Sequence, residues 1–406
     1  MRTILLSPEL PFAPGGSGGS TRQYQLMRQL RARGVDVAVV APVHPDQAEG
    51  AERLVAEGVE VHLEWRPAHR AREALGALRE RPALVPSILT EPLLAWQVDV
   101  FWTRLRHRLA EAVSAGRPDV VLIDHDWAAN WHRHLPAGVP RALTLQNLTW
   151  RYYAARARVT HGARRAAFDL EARRWLRYDR RHQPLIELHI AISERDAEVA
   201  GRAFGTRAVA VPNGVDTTAL TPAPAPPAGA PPVLLYTGTL SYPPNAEGLR
   251  WLLDAIWPRI RSARPDVELV VVGKDPPADA VGAADDRVTI TGWVPDLAPY
   301  FAQASAILIP ILSGGGTRLK VVDGLATGRP VISTRAGAEG IELRDGEHAL
   351  LADDPGAFAD AVLRVLGDRD LSARLGTAGR RLAEDQYDWS AIGARLEAEL
   401  RALTSP

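Results

Sequence analysis

Short apolar runs rich in β-branched residues alternate with stretches of helical periodicity, and in this chain the alternation runs twice. In the first series strands are expected at 2–7, 35–41, 59–63, 119–124, 140–145, 188–192 and 207–211, with helices between them, for example at 20–33, 93–115 and 163–182. Runs such as Val37-Ala38-Val39-Val40 and Val120-Val121-Leu122-Ile123 offer no polar face. Such strands must be covered on both sides, as in a parallel sheet flanked by crossover helices. Residues 221–232, Thr-Pro-Ala-Pro-Ala-Pro-Pro-Ala-Gly-Ala-Pro-Pro, continue neither element and favour an extended linker. Strands are then expected at 233–237, 267–272, 287–291, 305–309 and 330–333, and helices at 246–264, 318–327, 355–367, 370–385 and about 389–403. The expectation is an α/β protein of two Rossmann-like, doubly wound parallel-sheet domains facing across a cleft. Domain one is 1–214, onto which the last helix, 389–403, packs back; 215–232 is the linker and 233–388 the second domain. Sheets of this kind bind ligands at the C-terminal ends of their strands.

The 406 residues suffice for two sizeable cores. With no cysteine, disulfide scaffolds and thiolate sites are excluded. No apolar run approaches the ~20 residues that span a bilayer, and the chain enters a strand at Arg2 without a cleavable apolar segment. A cytoplasmic protein is therefore expected. Forty-eight basic and 48 acidic side chains cancel, but the halves differ: 1–214 carries +7 and 215–406 carries −7. Only two of the basic residues are lysines, Lys274 and Lys320.

Four segments could carry chemistry. The glycine-rich loop Pro14-Gly15-Gly16-Ser17-Gly18-Gly19-Ser20-Thr21 opens into a helix whose free N–H groups suit an anion or a sugar; the other reading is a flexible turn. Ser313-Gly314-Gly315-Gly316-Thr317-Arg318-Leu319-Lys320-Val321-Val322-Asp323 brings amides and two cations to a helix N-terminus, where cations are unfavourable unless an anion joins them. A diphosphate fits there. Asp323, three residues after Lys320, shares its helix face and could accept hydroxyl hydrogen bonds from a ribose. The alternative is an exposed cap with a Lys–Asp pair. Lys274, in Gly273-Lys274-Asp275-Pro276 after a strand, could reach the same diphosphate or sit in solvent. In Asp124-His125-Asp126-Trp127 a strand-end histidine could bond a sugar hydroxyl or move a proton, or be held structurally by its flanking aspartates. No further ligand cluster makes that Asp-X-Asp a metal site, and His132 and His134 point apart on a helix.

The +7 of the first half has an address. Residues 151–182 hold ten arginines against Asp169, Glu171 and Asp179, interleaved with Tyr152, Tyr153, Phe168, Trp175 and Tyr178. Two readings stand: a patch for a membrane surface or an anionic acceptor, and a solvated helix that packs its aromatics inward. No recognition motif accompanies the charge, so nucleic acid is not expected.

With these residues in view, the sequence resembles the family 4 retaining glycosyltransferases, which have the two-Rossmann GT-B fold. The marks are the glycine loop before the first helix, Arg33-Gly34-Val35-Asp36-Val37, Ile190-Ala191-Ile192-Ser193-Glu194 and Val211-Pro212-Asn213-Gly214-Val215-Asp216. Gly238-Thr239-Leu240-Ser241-Tyr242-Pro243-Pro244-Asn245, Gly292-Trp293-Val294-Pro295, Gly314–Asp323 and Ala326-Thr327-Gly328-Arg329-Pro330-Val331-Ile332 complete them in order. The resemblance implies transfer of a hexosyl group, with retention, from a nucleotide-diphosphate sugar to a hydroxyl of a glycan, lipid-linked or small-molecule acceptor. No cofactor and no metal are expected, since fixed cations and helix N–H groups would stabilise the leaving diphosphate. Arg318 and Lys320 would hold the diphosphate, Asp323 the ribose, and the backbone near Val294 the base. Gly315 and Gly316 would touch sugar or phosphates, with Thr317 beside them; Gly18 and Gly19 would let the first domain approach the donor, and His125 would lie near the transferred sugar. Peripheral membrane contact through 151–182, at the inner face of the membrane, is the expectation that the arginine-rich stretch itself adds.

Two departures are visible. The family often has two glutamates eight positions apart in the donor motif, where this chain has Gly315 and Asp323; no Arg/Lys pair occurs in Gly238–Asn245. Charge neutralisation then falls on Arg318, Lys320 and Lys274. The competing readings are a nucleotide-sugar epimerase of similar architecture and a non-catalytic GT-B subunit.

Overall fold

The structure, a computed structural model, describes residues 1–13, 18–66, 78–79, 84–158, 160–222, 229–282, 284–313 and 319–404, with the backbone alone at 84 and 101–103. It divides into two compact units, Met1–Pro212 with Ile392–Pro406, and Asn213–Ala391. Strands are β1–β13 below, and helices of eight residues or more are α1–α11, numbered among the described residues.

In the first unit the elements run β1 (Arg2–Leu6), α1 (Gly18–Ala32), β2 (Asp36–Val43), α2 (Ala48–Ala56), β3 (Glu60–Trp65), α3 (Leu93–Ala115) and β4 (Val120–Asp124). They continue with β5 (Arg141–Leu145), α4 (Thr149–Arg158), α5 (Gly162–His182), β6 (Leu188–Ala191), α6 (Glu194–Phe204) and β7 (Arg207–Ala210). The seven strands form one parallel sheet in the order β3-β2-β1-β4-β5-β6-β7. Every residue of β4 is buried, as its uninterrupted apolar sequence requires. The order reverses between β1 and β4. The two loops leaving those strands therefore diverge and leave a crevice at their C-terminal ends. Sequence also sets the helix ends: Ser193 accepts from the Asp196 amide to start α6, and Gly205 in the left-handed region (φ 69°) closes it. Trp131, Trp175 and Tyr178 fill the core beside Leu105 and Leu109.

The second unit runs β8 (Val233–Thr237), α7 (Pro243–Trp251), β9 (Glu268–Val272), β10 (Val288–Gly292), β11 (Ala306–Ile309), α8 (Leu319–Ala326), β12 (Val331–Ser333) and β13 (Leu350–Leu351). Helices α9 (Pro355–Gly367), α10 (Arg369–Leu382) and α11 (Trp389–Thr404) follow. The sheet is again parallel, β10-β9-β8-β11-β12-β13, and reverses between β8 and β11.

Three differences from the sequence reading have local causes. The helix expected over 246–264 begins at Pro243, because proline suits a first turn, and is wound wider at Leu252–Ile256. That widening precedes Pro258, which lacks the amide an α-turn would use. Strand β13 has only two residues, too few to show a period. His132 and His134 lie on a tight 3₁₀ segment, Asp126–His134, rather than an α-helix. From Ile392 onward α11 belongs with the first unit, where Arg395 pairs with Glu194 at 2.7 Å and Arg207 with Glu399.

Candidate functional site

In the first unit the crevice is built around one carboxylate. Asp124, the last residue of β4, is buried and accepts hydrogen bonds from Gln23 Nε2 (2.6 Å), Thr144 Oγ1 (2.6 Å), Ser7 Oγ (3.0 Å) and Gln146 Nε2 (3.3 Å). The donors come from α1, β5 and the ends of β1 and β5, so the strand order itself gathers them. His125 follows with φ 66° and ψ 141°, a conformation costing a non-glycine residue about 1–3 kcal/mol. Its ring is buried, stacks on Trp127 (centroids 4.0 Å apart, 18° between planes), and its Nε2 lies 3.6 Å from Asp124 Oδ2. Among the described residues no hydrogen bond reaches that Nε2. The structural reading keeps one contact, the 3.6 Å approach of Asp124 Oδ2 to that nitrogen, beside the reading in which Nε2 meets a sugar hydroxyl. Of the four donors to Asp124, three reach Oδ1 and Ser7 alone reaches Oδ2, and Asp126 accepts from the Thr149 amide at 3.1 Å.

Gly19, in the first turn of α1, stands against the same ring: a Cβ there would come within 3.1 Å of His125 Nε2. Gly18 has open space around it. Four residues after Gly18, Arg22 is fully buried and donates to the carbonyls of Val211 (2.5 Å) and Pro212 (2.7 Å). Burial lowers its pKa to about 10, which still leaves it charged at neutral pH.

In the second unit the reversal between β8 and β11 holds Lys320. Its ammonium donates to Thr237 O (3.0 Å) and Asn245 Oδ1 (2.7 Å) and lies 5.1 Å from the centre of the Tyr236 ring. A Cβ on Gly238 would come within 2.8 Å of it. Lys320 is thus seated beneath the loop that leaves β8. Asp323, one turn on, is half-buried, and among the described residues its carboxylate makes no hydrogen bond. Burial raises its pKa to about 7, against a weaker opposing pull from Lys320. Among the described residues only Lys320 and Asp323 of the Ser313–Asp323 motif can be placed beside each other. Gly315, Gly316, Thr317 and Arg318 lie outside the described residues.

Lys274 is exposed at the end of β9, and its carbonyl accepts from the Leu240 amide (2.9 Å), which ties the loops after β8 and β9 together. A Cβ on Gly273 would run into the carbonyl oxygen of Gly238, so that position admits only glycine. Asp275 beside it has φ 57°. Among the described residues His125 and Asp275 are the two non-glycine residues with positive φ, and each follows a strand's C-terminal end. Val294, after β10, is half-buried against the cluster around Phe301, and Trp293 before it is 71% exposed.

Sequence reasoning missed Gln23, Thr144, Ser7 and Asn245. Each comes from a different element and is met only through the sheet order. It also missed His182, whose Nδ1 lies 3.4 Å from Nε2 of His132. Burial, reinforced by nearby arginines, lowers their pKa values to about 4 for His132 and about 3 for His182. Among the described residues no group of three or more His, Cys, Asp or Glu side chains could hold a metal ion.

Comparisons with known proteins bear on this geometry. Residues 231–368 match the family model for glycosyl transferases group 1. The phosphatidyl-myo-inositol mannosyltransferase of Mycobacterium leprae is 27% identical over 406 residues, covering 98% of this chain and 95% of that protein. The GDP-mannose-dependent alpha-(1-6)-phosphatidylinositol monomannoside mannosyltransferase of Mycolicibacterium smegmatis is 31% identical over 171 residues, 38% of this chain and 44% of that protein. Among solved structures, sucrose-phosphate synthase from Thermosynechococcus elongatus superposes with a TM-score of 0.69 at 18% identity, covering 99% of both chains. Anabaena HepE in complex with UDP gives 0.67 at 14% identity, over 99% of this chain and 100% of that one. At those identities the structural likeness is one of fold.

Proposed function

Taking as premise that the chain belongs to the group 1 glycosyltransferases, of family 4 type and on the GT-B fold, we propose that it moves a mannosyl group from GDP-mannose to a hydroxyl of an inositol phospholipid. The observation that carries this reading is the alignment along nearly the whole of both chains with a phosphatidyl-myo-inositol mannosyltransferase. The donor is suggested by the GDP-mannose-dependent relative. A nucleotide-sugar epimerase is not favoured, since those relatives are transferases.

The proposed chemistry divides between the two strand-end sites. As the glycosidic bond breaks, the leaving diphosphate gains negative charge, and a fixed cation near it stabilises the transition state more than the ground state. Lys320 is held in place by Thr237 and Asn245 for that task. Arg318 and Lys274 would add charge, and Gly315, Gly316 and Thr317 would line the sugar and phosphates. Asp323 would accept from the ribose hydroxyls, and the backbone at Val294 would meet the base. His125, with an open Nε2 beside Gly19, would bond a hydroxyl of the transferred sugar. Retention by front-face attack needs no covalent nucleophile and no metal in this scheme. A lipid acceptor also fits the expected peripheral membrane contact through 151–182. Among the described residues no helix is long and apolar enough to cross a membrane.

The test is a donor panel (GDP-mannose, UDP-glucose, ADP-glucose) with phosphatidylinositol vesicles, following nucleoside diphosphate release and lipid mass. GDP release coupled to a one-hexose gain in the lipid is expected. Transfer from a UDP-sugar alone, or to a soluble sugar alone, would overturn the assignment.

A further inference from the structure

We propose that the first unit docks on an anionic bilayer through a composite patch, in which an arginine stripe on α5 supplies charge and the segment 85–93 supplies apolar side chains that enter the lipid. The inference deepens the lipid-acceptor reading and rests on it only for its biological purpose.

Two independent features meet here. Val85, Ile88, Leu89 and Leu93 are exposed by between 39% and 73% within nine residues, a dense group of large apolar side chains at the surface. On α5, Leu170, Arg173, Arg177 and Arg181 recur at spacings of three and four, so they form one stripe, and all four are exposed. The two features are joined. Arg174 Nη2 donates to the carbonyl of Leu89 at 2.9 Å, and Arg181 pairs with Glu91 at 2.9 Å, which lays the apolar segment along the stripe.

The acids nearby are already taken: Glu171 by Arg174 (2.9 Å), Asp169 by Arg165 (3.8 Å) and Glu91 by Arg181. Among the described residues Arg173 and Arg177 have no carboxylate within ion-pair reach, so their charge faces outward. A purely apolar patch would suit a protein partner and a purely basic one a soluble polyanion. Leucine and isoleucine beside unpaired arginines match a lipid interface, where apolar groups enter the acyl boundary and guanidinium groups stay at the phosphates.

The chain has no cysteine, so Leu89→Cys introduces a unique site for an environment-sensitive fluorophore, with Val55→Cys as a control outside the patch. Full-length labelled protein is mixed with phosphatidylglycerol-rich vesicles and with pure phosphatidylcholine vesicles, without donor or inositol lipid. A blue shift at position 89 but not 55, on the anionic vesicles alone and reversed by salt, is expected. Co-sedimentation should weaken by about tenfold or more in Arg173→Glu/Arg177→Glu and by several-fold in Ile88→Ser/Leu89→Ser, with thermal melts confirming that both variants fold. No shift at position 89, equal binding to both vesicles, or a dimer that Ile88→Ser/Leu89→Ser dissolves would each overturn the proposal. Because these vesicles hold no acceptor, a negative result leaves the transferase reading standing. Failure of transfer to phosphatidylinositol with intact vesicle binding would overturn only the acceptor.

Discussion

The two strand-end sites are mirror images in their electrostatics. At the β1/β4 reversal the acid is held and the base is open: Asp124 accepts from four side chains, while among the described residues His125 Nε2 makes no hydrogen bond. At the β8/β11 reversal the base is seated and the acid is open: Lys320 donates to Thr237 and Asn245, while Asp323 makes no side-chain hydrogen bond among the described residues. Burying a polar group without a partner is unfavourable, so a fold that leaves one open at each crevice leaves it available to a ligand. In the proposed mechanism the seated group of each pair fixes geometry or charge, and the open group meets substrate hydroxyls.

The comparison can be broken by asking whether seated and open groups respond differently to removal. Lys320→Ala should have the largest effect, because it removes diphosphate charge and strands two buried acceptors. Turnover should fall by about a thousandfold or more, and the second unit should lose roughly 1–3 kcal/mol in denaturant unfolding. Loss of turnover without loss of stability would mean that the seat is not structural.

Asp323→Asn should weaken nucleoside diphosphate binding by about tenfold with little loss of stability. With its pKa raised to about 7, Asp323 in the wild type is protonated at pH 6 and ionised at pH 8. Ribose hydroxyls donate to the ionised form, so wild-type affinity measured by calorimetry should rise between those pH values. The variant should show a flat profile. Folding carries the opposite sign: the raised pKa favours the protonated native state, so this group's contribution is present below about pH 4 and is lost as pH rises through 7.

Smaller still is the effect of the buried histidine pair. His132 and His182 titrate near 4 and 3 in the folded chain. The unfolded chain therefore binds more protons below about pH 6.5, and stability contributed by the neutral rings is lost as pH falls from there toward 4. His132→Gln should flatten that slope in thermal melts across pH 7 to 4 without changing turnover at neutral pH. Metal removal is expected to do least of all, leaving turnover unchanged in EDTA. Abolition that magnesium reverses would return Asp124-His125-Asp126 to consideration as a metal site.

Much of the architecture was readable because parallel strands buried on both faces advertise themselves as β-branched runs; Val233–Thr237 and the helices 93–115 and 355–367 stand where periodicity puts them. That His125 stands at a strand end and that Lys320 and Asp323 lie on the helix after β11 followed from the element pattern; what they bind stays a proposal. The partners that seat them were not readable. Gln23 lies within an ordinary amphipathic helix and Thr144 within an apolar strand, and nothing along the chain says that both reach Asp124. Asn245 stands in a quoted motif, but its bond to Lys320 spans 75 positions and exists only because β8 and β11 are neighbours. Likewise, the arginine-rich stretch 151–182 was visible as charge, whereas its apolar companion at 85–93 lies apart in sequence and joins it through Arg174 and Arg181.

The most direct test of the open-versus-seated account is GDP binding and GDP-mannose turnover measured together on His125→Ala. Among the described residues its imidazole makes no hydrogen bond through Nε2, so the account predicts an unchanged Kd for GDP with turnover reduced by about a hundredfold. Turnover near the wild-type rate, or a loss of GDP affinity as large as that of Asp323→Asn, would contradict it.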